Sequence, residues 1–243
     1  LNDHSKPILF AMSRLDRIKN MAGLVEWYAK NEGLREIANL LIVGGRLRTE
    51  ESNDRDEREQ IERAHRLFEE YNLEGSVRWI EMQTDKTKVG ELYRFVADQR
   101  GAFVQPALFE AFGLTVVESM SSGLPTFATR YGGPLEIIED GKSGFHIDPT
   151  LGEQATDKML EFFRASAKDS SVWDNISQGG IDRVQERYNW PLYASTLLKL
   201  SRIYGFWRYI SSLERDEARR YLEMFYGLLL RPLSKKVLDA HDH

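Results

Sequence analysis

Two carboxylates eight residues apart, Glu110 and Glu118, bracket the run Ala111-Phe112-Gly113-Leu114-Thr115. An apolar, strand-like run ending at Val104 precedes them, and a helix-like run follows until Gly123-Leu124-Pro125. Acids at a strand-to-helix junction are costly to bury unless paired or ligand-bound. The pair therefore points to a ligand with hydroxyls on one side and an anionic group on the other. A helix is predicted to start near Leu114. Its free amides, its dipole and the close approach that Gly113 permits would form an anion site, to which Thr115 adds a hydroxyl. Glu118 falls one turn after Leu114, in reach of ligand hydroxyls, and Glu110 sits before the helix, across the same pocket.

The surrounding chain should place these residues at one edge of a sheet. Six short runs read as strands: 7–12, 39–43, 77–80, 101–105, 126–129 and 144–147. Most are continuous apolar stretches without alternation, as expected of strands covered on both faces. Helical spacing recurs between them, at 21–30, 58–71, 90–97 and 135–138, and the charged stretch 46–56 reads as an exposed loop. This alternation predicts an α/β, doubly wound parallel sheet of about six strands, with its ligand site beyond the carboxyl ends of the strands. The rhythm then stops, and 154–167, 171–187, 191–204 and 213–230 read as helices. We accordingly divide the chain into a sheet domain, 1–170, and an all-helical extension, 171–243. The extension carries Tyr204, Phe206, Trp207, Tyr209, Tyr221, Phe225 and Tyr226, which are expected to pack partly on a domain outside this sequence.

The other strand-end loops supply further candidates. Arg14 and Lys19, five apart after the first strand, could hold one anionic group, although a basic pair alone is more often a solvated surface feature. Gly44-Gly45 after the second fits either a close backbone approach to a ligand or a tight turn. Gln83 after the third offers the donors and acceptor that reading a base edge requires. Taken together, the constellation describes a ligand with a diphosphate, a ribose diol and a sugar. The turn after the first strand has no G-x-G-x-x-G, and no G-x-x-x-x-G-K-[ST] occurs, so dehydrogenase and P-loop kinase readings fit worse.

A net charge of -5 argues against nucleic-acid binding through bulk charge. With no cysteine, thiol chemistry is excluded, and the five histidines are scattered without the spacing of a metal site. No signal peptide is evident, and no apolar run approaches the ~20 residues a membrane span needs, so a cytoplasmic location is expected. The first residues, Leu1-Asn2-Asp3-His4-Ser5-Lys6, read as mid-protein sequence, and a fragment is expected.

Glu110-x7-Glu118, with Arg14 and Lys19 upstream, resembles the signature of retaining glycosyltransferases built from two Rossmann-like domains, the GT-B fold. The stretches from Gly101 through Glu118, from Gly141 to Pro149 and from Glu217 to Tyr226 closely resemble the sucrose synthase family. That resemblance implies reversible transfer of glucose between sucrose and a nucleoside diphosphate, giving fructose and NDP-glucose. It assigns Arg14, Lys19 and the amides around Gly113-Leu114-Thr115 to the diphosphate, Gln83 to the base and Glu118 to the ribose. Glu110, with Phe112 and Gly113, would face the transferred glucose. It implies no cofactor beyond the substrates ADP or UDP and their glucose conjugates, and it implies a homotetramer. It also implies that an N-terminal GT-B domain of the same protein, holding the acceptor site and a histidine matched by none here, would precede Leu1. His146 is read as structural. The plant pattern has an Asn six residues after the glutamine, where this chain has Val89, so ADP is expected over UDP. Sucrose-phosphate synthase, glycogen synthase and a non-catalytic nucleotide-sensing module are the alternatives; the 217–226 motif argues against the first two.

Overall fold

The computed structural model describes residues 1–211 and 215–241, without the side chains of 206–216, 218 and 237–241. Six strands form one parallel sheet: β1 (Ile8–Met12), β2 (Asn39–Val43), β3 (Val77–Ile80), β4 (Ala102–Gln105), β5 (Thr126–Thr129) and β6 (Phe145–Ile147). Their order is β3-β2-β1-β4-β5-β6, every neighbouring pair parallel. This is the doubly wound sheet expected, and its strand order reverses between β1 and β4. The helices between strands are α1 (Met21–Lys30), α2 (Glu32–Ile37), α3 (Arg55–Glu70), α4 (Lys86–Asp98), α5 (Leu114–Ser121) and α6 (Pro134–Ile137).

Both sheet faces are covered, which explains the unbroken apolar runs. Along β1, Leu9 and Ala11 pack in a core with α1, whereas Ile8, Phe10 and Met12 pack in a second core with Tyr93 and Val96 of α4. Phe10, Tyr93 and Phe103 meet edge to face, with ring centroids 5.4–5.6 Å apart. Two helix starts come from caps that apolar spacing does not reveal. Asp54 accepts from the amides of Asp56 and Glu57 before α3, and Asp85 from those of Thr87 and Lys88 before α4.

The compact unit runs to Asn189, so the expected boundary at 170 moves. Helix α8 (Ser170–Arg187), assigned above to the extension, packs with α7 (Gly152–Lys168) and α5. Its Trp173 is buried and donates to the Gly101 carbonyl at 2.9 Å, and Ser177 donates to the Gly123 carbonyl at 2.6 Å. Helix content alone misplaced it.

The second unit, from Trp190, is helical: α9 (Trp190–Ser211), α10 (Arg215–Phe225), a π segment at Tyr226–Leu230 and α11 (Arg231–His241). Pro232 follows the π segment and lacks an N–H to donate back along the helix, which accounts for the widened turn there. Leu213 and the side chains of Phe206, Trp207 and Tyr209 lie outside the described residues. Among the described residues, no helix is long and apolar enough to cross a membrane.

Candidate functional site

The switch in strand order brings the β1–α1 loop (13–20) beside the β4–α5 loop (106–113), and the chain ties them together. Leu108 donates its amide to the Ile18 carbonyl at 2.8 Å. Asn20, buried and left-handed (φ 55°), donates its side-chain amide to the Pro106 carbonyl at 3.1 Å. Glu110 is pinned from the other side, its amide donating to the Tyr131 carbonyl at 3.1 Å and its carbonyl accepting from Gly133 at 2.8 Å. A side chain at Gly132 would stand 2.0 Å from the Glu110 carbonyl, so this approach requires glycine there.

On that scaffold Lys19 Nζ meets Glu110 Oε2 at 2.6 Å, with side chains 20% and 14% exposed. Gln105 Nε2 donates to the same oxygen at 2.6 Å. Neither Lys19–Glu110, 91 residues apart, nor the Gln105 bond can be read from spacing. The only sequence signal for Gln105 is a polar residue closing an apolar strand. Arg14 takes a different partner: its guanidinium lies 3.3 Å from Asp16 and is 79% exposed. It lines a cleft of about 490 Å³ with Asp16, Gly45, Glu81, Met82 and Thr84, at the carboxyl ends of β1, β2 and β3.

Helix α5 begins at Leu114, where the sequence predicts it. Gly113 has φ 104°, and a Cβ there would find ordinary contacts at 3.4 Å, so backbone conformation, not close packing, requires the glycine. The amides of Gly113, Leu114 and Thr115 have no acceptor among the described residues, and they leave a donor-rich helix start beside Glu110. Thr115 is half-buried; Phe112 and Leu114 are exposed, and Phe112 meets the Tyr188 ring at 6.4 Å between centroids.

Glu118 stands apart from Glu110. The buried Tyr93 hydroxyl donates to its Oε2 at 3.4 Å. Desolvation pushes the Glu118 carboxyl above its ordinary value, against the opposing effects of Tyr93 and Lys86. Desolvation, together with the neighbouring Glu118 charge, also pushes the Tyr93 phenol up.

Gln83 lies half-buried in the β3–α4 loop, next to the cleft residues Met82 and Thr84. Gly44 resolves differently. Its amide donates to Ile80 O at 3.0 Å, its carbonyl accepts from Trp79 Nε1 at 2.9 Å, and a Cβ would stand 2.2 Å from Ser13 O. Its backbone is spent on the sheet edge, so the tight approach there is to the protein itself. Val89 packs half-buried against the α4-side core. His146 sits in β6 with Nε2 3.2 Å from the Pro134 carbonyl. No group of three or more His, Asp or Glu suited to a metal ion occurs among the described residues.

Residues 1–177 match the family model "Glycosyl transferases group 1". The chain belongs to that family. It is 56% identical over 242 residues to the sucrose synthase of Nitrosomonas europaea, covering 100% of this chain and 30% of that protein. The resemblance to sucrose synthase thus extends along the whole chain, which spans about 30% of the length of the sucrose synthases it matches. Among solved structures, sucrose-phosphate synthase from Thermosynechococcus elongatus aligns with a TM-score of 0.66 at 24% identity, over 82% of this chain and 46% of that one. The C-terminal domain of a group 1 family glycosyl transferase (LpcC) from Francisella tularensis aligns with a TM-score of 0.60 at 22% identity, over 76% of this chain and 88% of that one. At such identities the likeness speaks for fold alone, and the fold is the C-terminal half of GT-B.

Proposed function

We propose that this chain carries the donor-nucleotide half of a sucrose synthase, which converts sucrose and a nucleoside diphosphate reversibly into NDP-glucose and fructose with retention, favouring ADP over UDP. The observation carrying this reading is the Lys19–Glu110–Gln105 cluster beside the unpaired amides of α5, at the point where the strand order reverses. Lys19 and Arg14 hold the diphosphate, Arg14 swinging from its exposed contact with Asp16. The amides of Gly113, Leu114 and Thr115 donate to phosphate oxygens. Glu118 takes the ribose hydroxyls, Gln83 the base edge, and Glu110, with Phe112 and Gly113, the transferred glucose. Gly44 shapes the cleft edge and offers no polar group.

Negative charge builds on the diphosphate as the glycosidic bond breaks, and two cations with a row of amides stabilise it in place. Retention follows when the acceptor arrives on the face the diphosphate leaves, with no protein nucleophile required. Fructose would be held by an N-terminal GT-B domain of the same protein, on which the helical unit from Trp190 packs in part, so the chain alone binds nucleotide without turnover. The whole protein is a cytoplasmic homotetramer in this reading.

Titration calorimetry of the chain with ADP and UDP tests the site. ADP is expected to bind more tightly, and Arg14→Ala to weaken it roughly tenfold or more. Arg55→Ala, which removes an exposed pair with Glu59 on α3, should change nothing. Absence of ADP binding, or equal loss with Arg55→Ala, overturns the assignment. Binding without nucleotide-dependent sucrose cleavage by the full-length protein would favour a nucleotide-sensing module.

A further inference from the structure

Lys19 serves two masters in the arrangement above: it pairs with Glu110 in the free chain, and it is assigned to the diphosphate. An ammonium that turns to a ligand cannot be the fixed anchor of a carboxylate. The Glu110 backbone is clamped by Tyr131 and Gly133, so what needs holding is its side chain. We propose that Gln105 is a positioning residue that fixes the Glu110 carboxylate when Lys19 turns to the diphosphate; this rests on the assignment of Glu110 to the transferred sugar.

Three observations carry it. Gln105 closes β4, the rigid centre of the sheet, is 2% exposed, and donates to Glu110 Oε2 at 2.6 Å. Its donor must face Glu110, because the opposite amide orientation would set a carbonyl oxygen against a carboxylate. Because Lys19 and Gln105 both take Oε2, the Oε1 oxygen has no partner among the described residues and is left for a ligand hydroxyl. Finally, Gln105 Oε1 is buried without a partner. A desolvated, unpartnered amide oxygen is an expense that packing alone would avoid, since Leu or Met fills similar space without it. The amide is there for its other end.

In the full-length protein, Gln105→Leu is expected to lower kcat for sucrose cleavage roughly ten- to hundredfold, as loss of a hydrogen bond to a charged group does. The ADP Kd should stay within about threefold, and the thermal midpoint should hold or rise, because the orphan oxygen is gone. A merely structural Gln105 predicts the opposite, with midpoint and nucleotide affinity falling together with kcat. That outcome, or a wild-type kcat, overturns the proposal. If Gln105→Leu does not fold, Gln105→Met carries the same expectations, and failure of both to fold overturns it. An inactive wild type sinks the function reading and this one with it; an active wild type matched by Gln105→Leu sinks this one alone.

Discussion

Glu110→Gln should leave nucleotide binding intact or tighten it while removing turnover, a sign opposite to that of a residue that merely belongs to a binding pocket. The ion pair holds Lys19 at 2.6 Å, where Coulomb attraction at an effective dielectric of 20 is roughly 6 kcal/mol. Most of this is offset by desolvation of both groups and by ordering of the lysine. Partly exposed pairs come out near ~1 kcal/mol net. Nucleotide binding must overcome up to that amount as Lys19 turns from Glu110 to the diphosphate. Neutralising Glu110 therefore tightens ADP by a factor between one and about five, since ~1.4 kcal/mol is tenfold. Calorimetry with ADP at low and moderate salt reads it directly, and the gain should shrink as salt screens the pair. Weakening beyond about threefold would refute the reasoning, because it would mean that Glu110 helps hold the nucleotide rather than competing for Lys19.

Three further outcomes follow from the same geometry. Glu118 has its carboxyl pKa raised by desolvation, so its contribution to stability is present below its unfolded value and lost as pH rises through the folded one; Glu118→Gln should raise the thermal midpoint near pH 7, not near pH 4, while weakening ADP binding. Gly132→Ala, with φ 102° and a Cβ 2.0 Å from the Glu110 carbonyl, should cost roughly 3 kcal/mol and lower the midpoint by about 6–12 °C, and a shift under about 2 °C would contradict the clamp. Val89→Asn should move preference toward UDP in paired ADP and UDP titrations, at about 1 kcal/mol of stability, because the amide replaces a side chain packed on the α4-side core; a wild type that already prefers UDP would remove the basis for it.

The fold was legible because its central strands are buried on both faces, so that Ile8–Met12 and residues 40–43 are unbroken apolar runs. What escaped has identifiable physical causes. Helix α2 has six residues and a single buried one, Leu34, too few for periodicity; an Asn31 side chain accepting from the Leu34 amide marks its start. The first turn of α4 is Lys86-Thr87-Lys88, polar throughout and fixed by Asp85. Helix α8 read as extension because helix content cannot tell a helix that closes a sheet from one that leaves it. Within the site, residue types and their loops could be named, but partners could not. Spacing says nothing of whether Lys19 turns to Asp16 or to a glutamate 91 residues away.

That last ambiguity bears on how the site handles charge. The two loops at the strand reversal are cross-linked, backbone to backbone from Leu108 to Ile18 and through the buried Asn20 side chain to the Pro106 carbonyl, so in the proposed function rearrangement on ligand binding falls to the remaining side chains of the site. Those side chains differ in freedom: Arg14 is 79% exposed and paired with Asp16, whereas Lys19 is 20% exposed and pressed onto Glu110. A guanidinium in water loses little attraction to Asp16 on swinging to a phosphate, since an exposed pair is worth little. An ammonium in a drier place exchanges one close anion for another, and the exchange is near neutral only if the anion left behind stays solvated or held. Gln105 meets that condition at 2.6 Å from within the sheet. In the proposed function, a carboxylate retained at constant geometry while its counter-ion changes partner is what ties the sugar side of the site to the phosphate side.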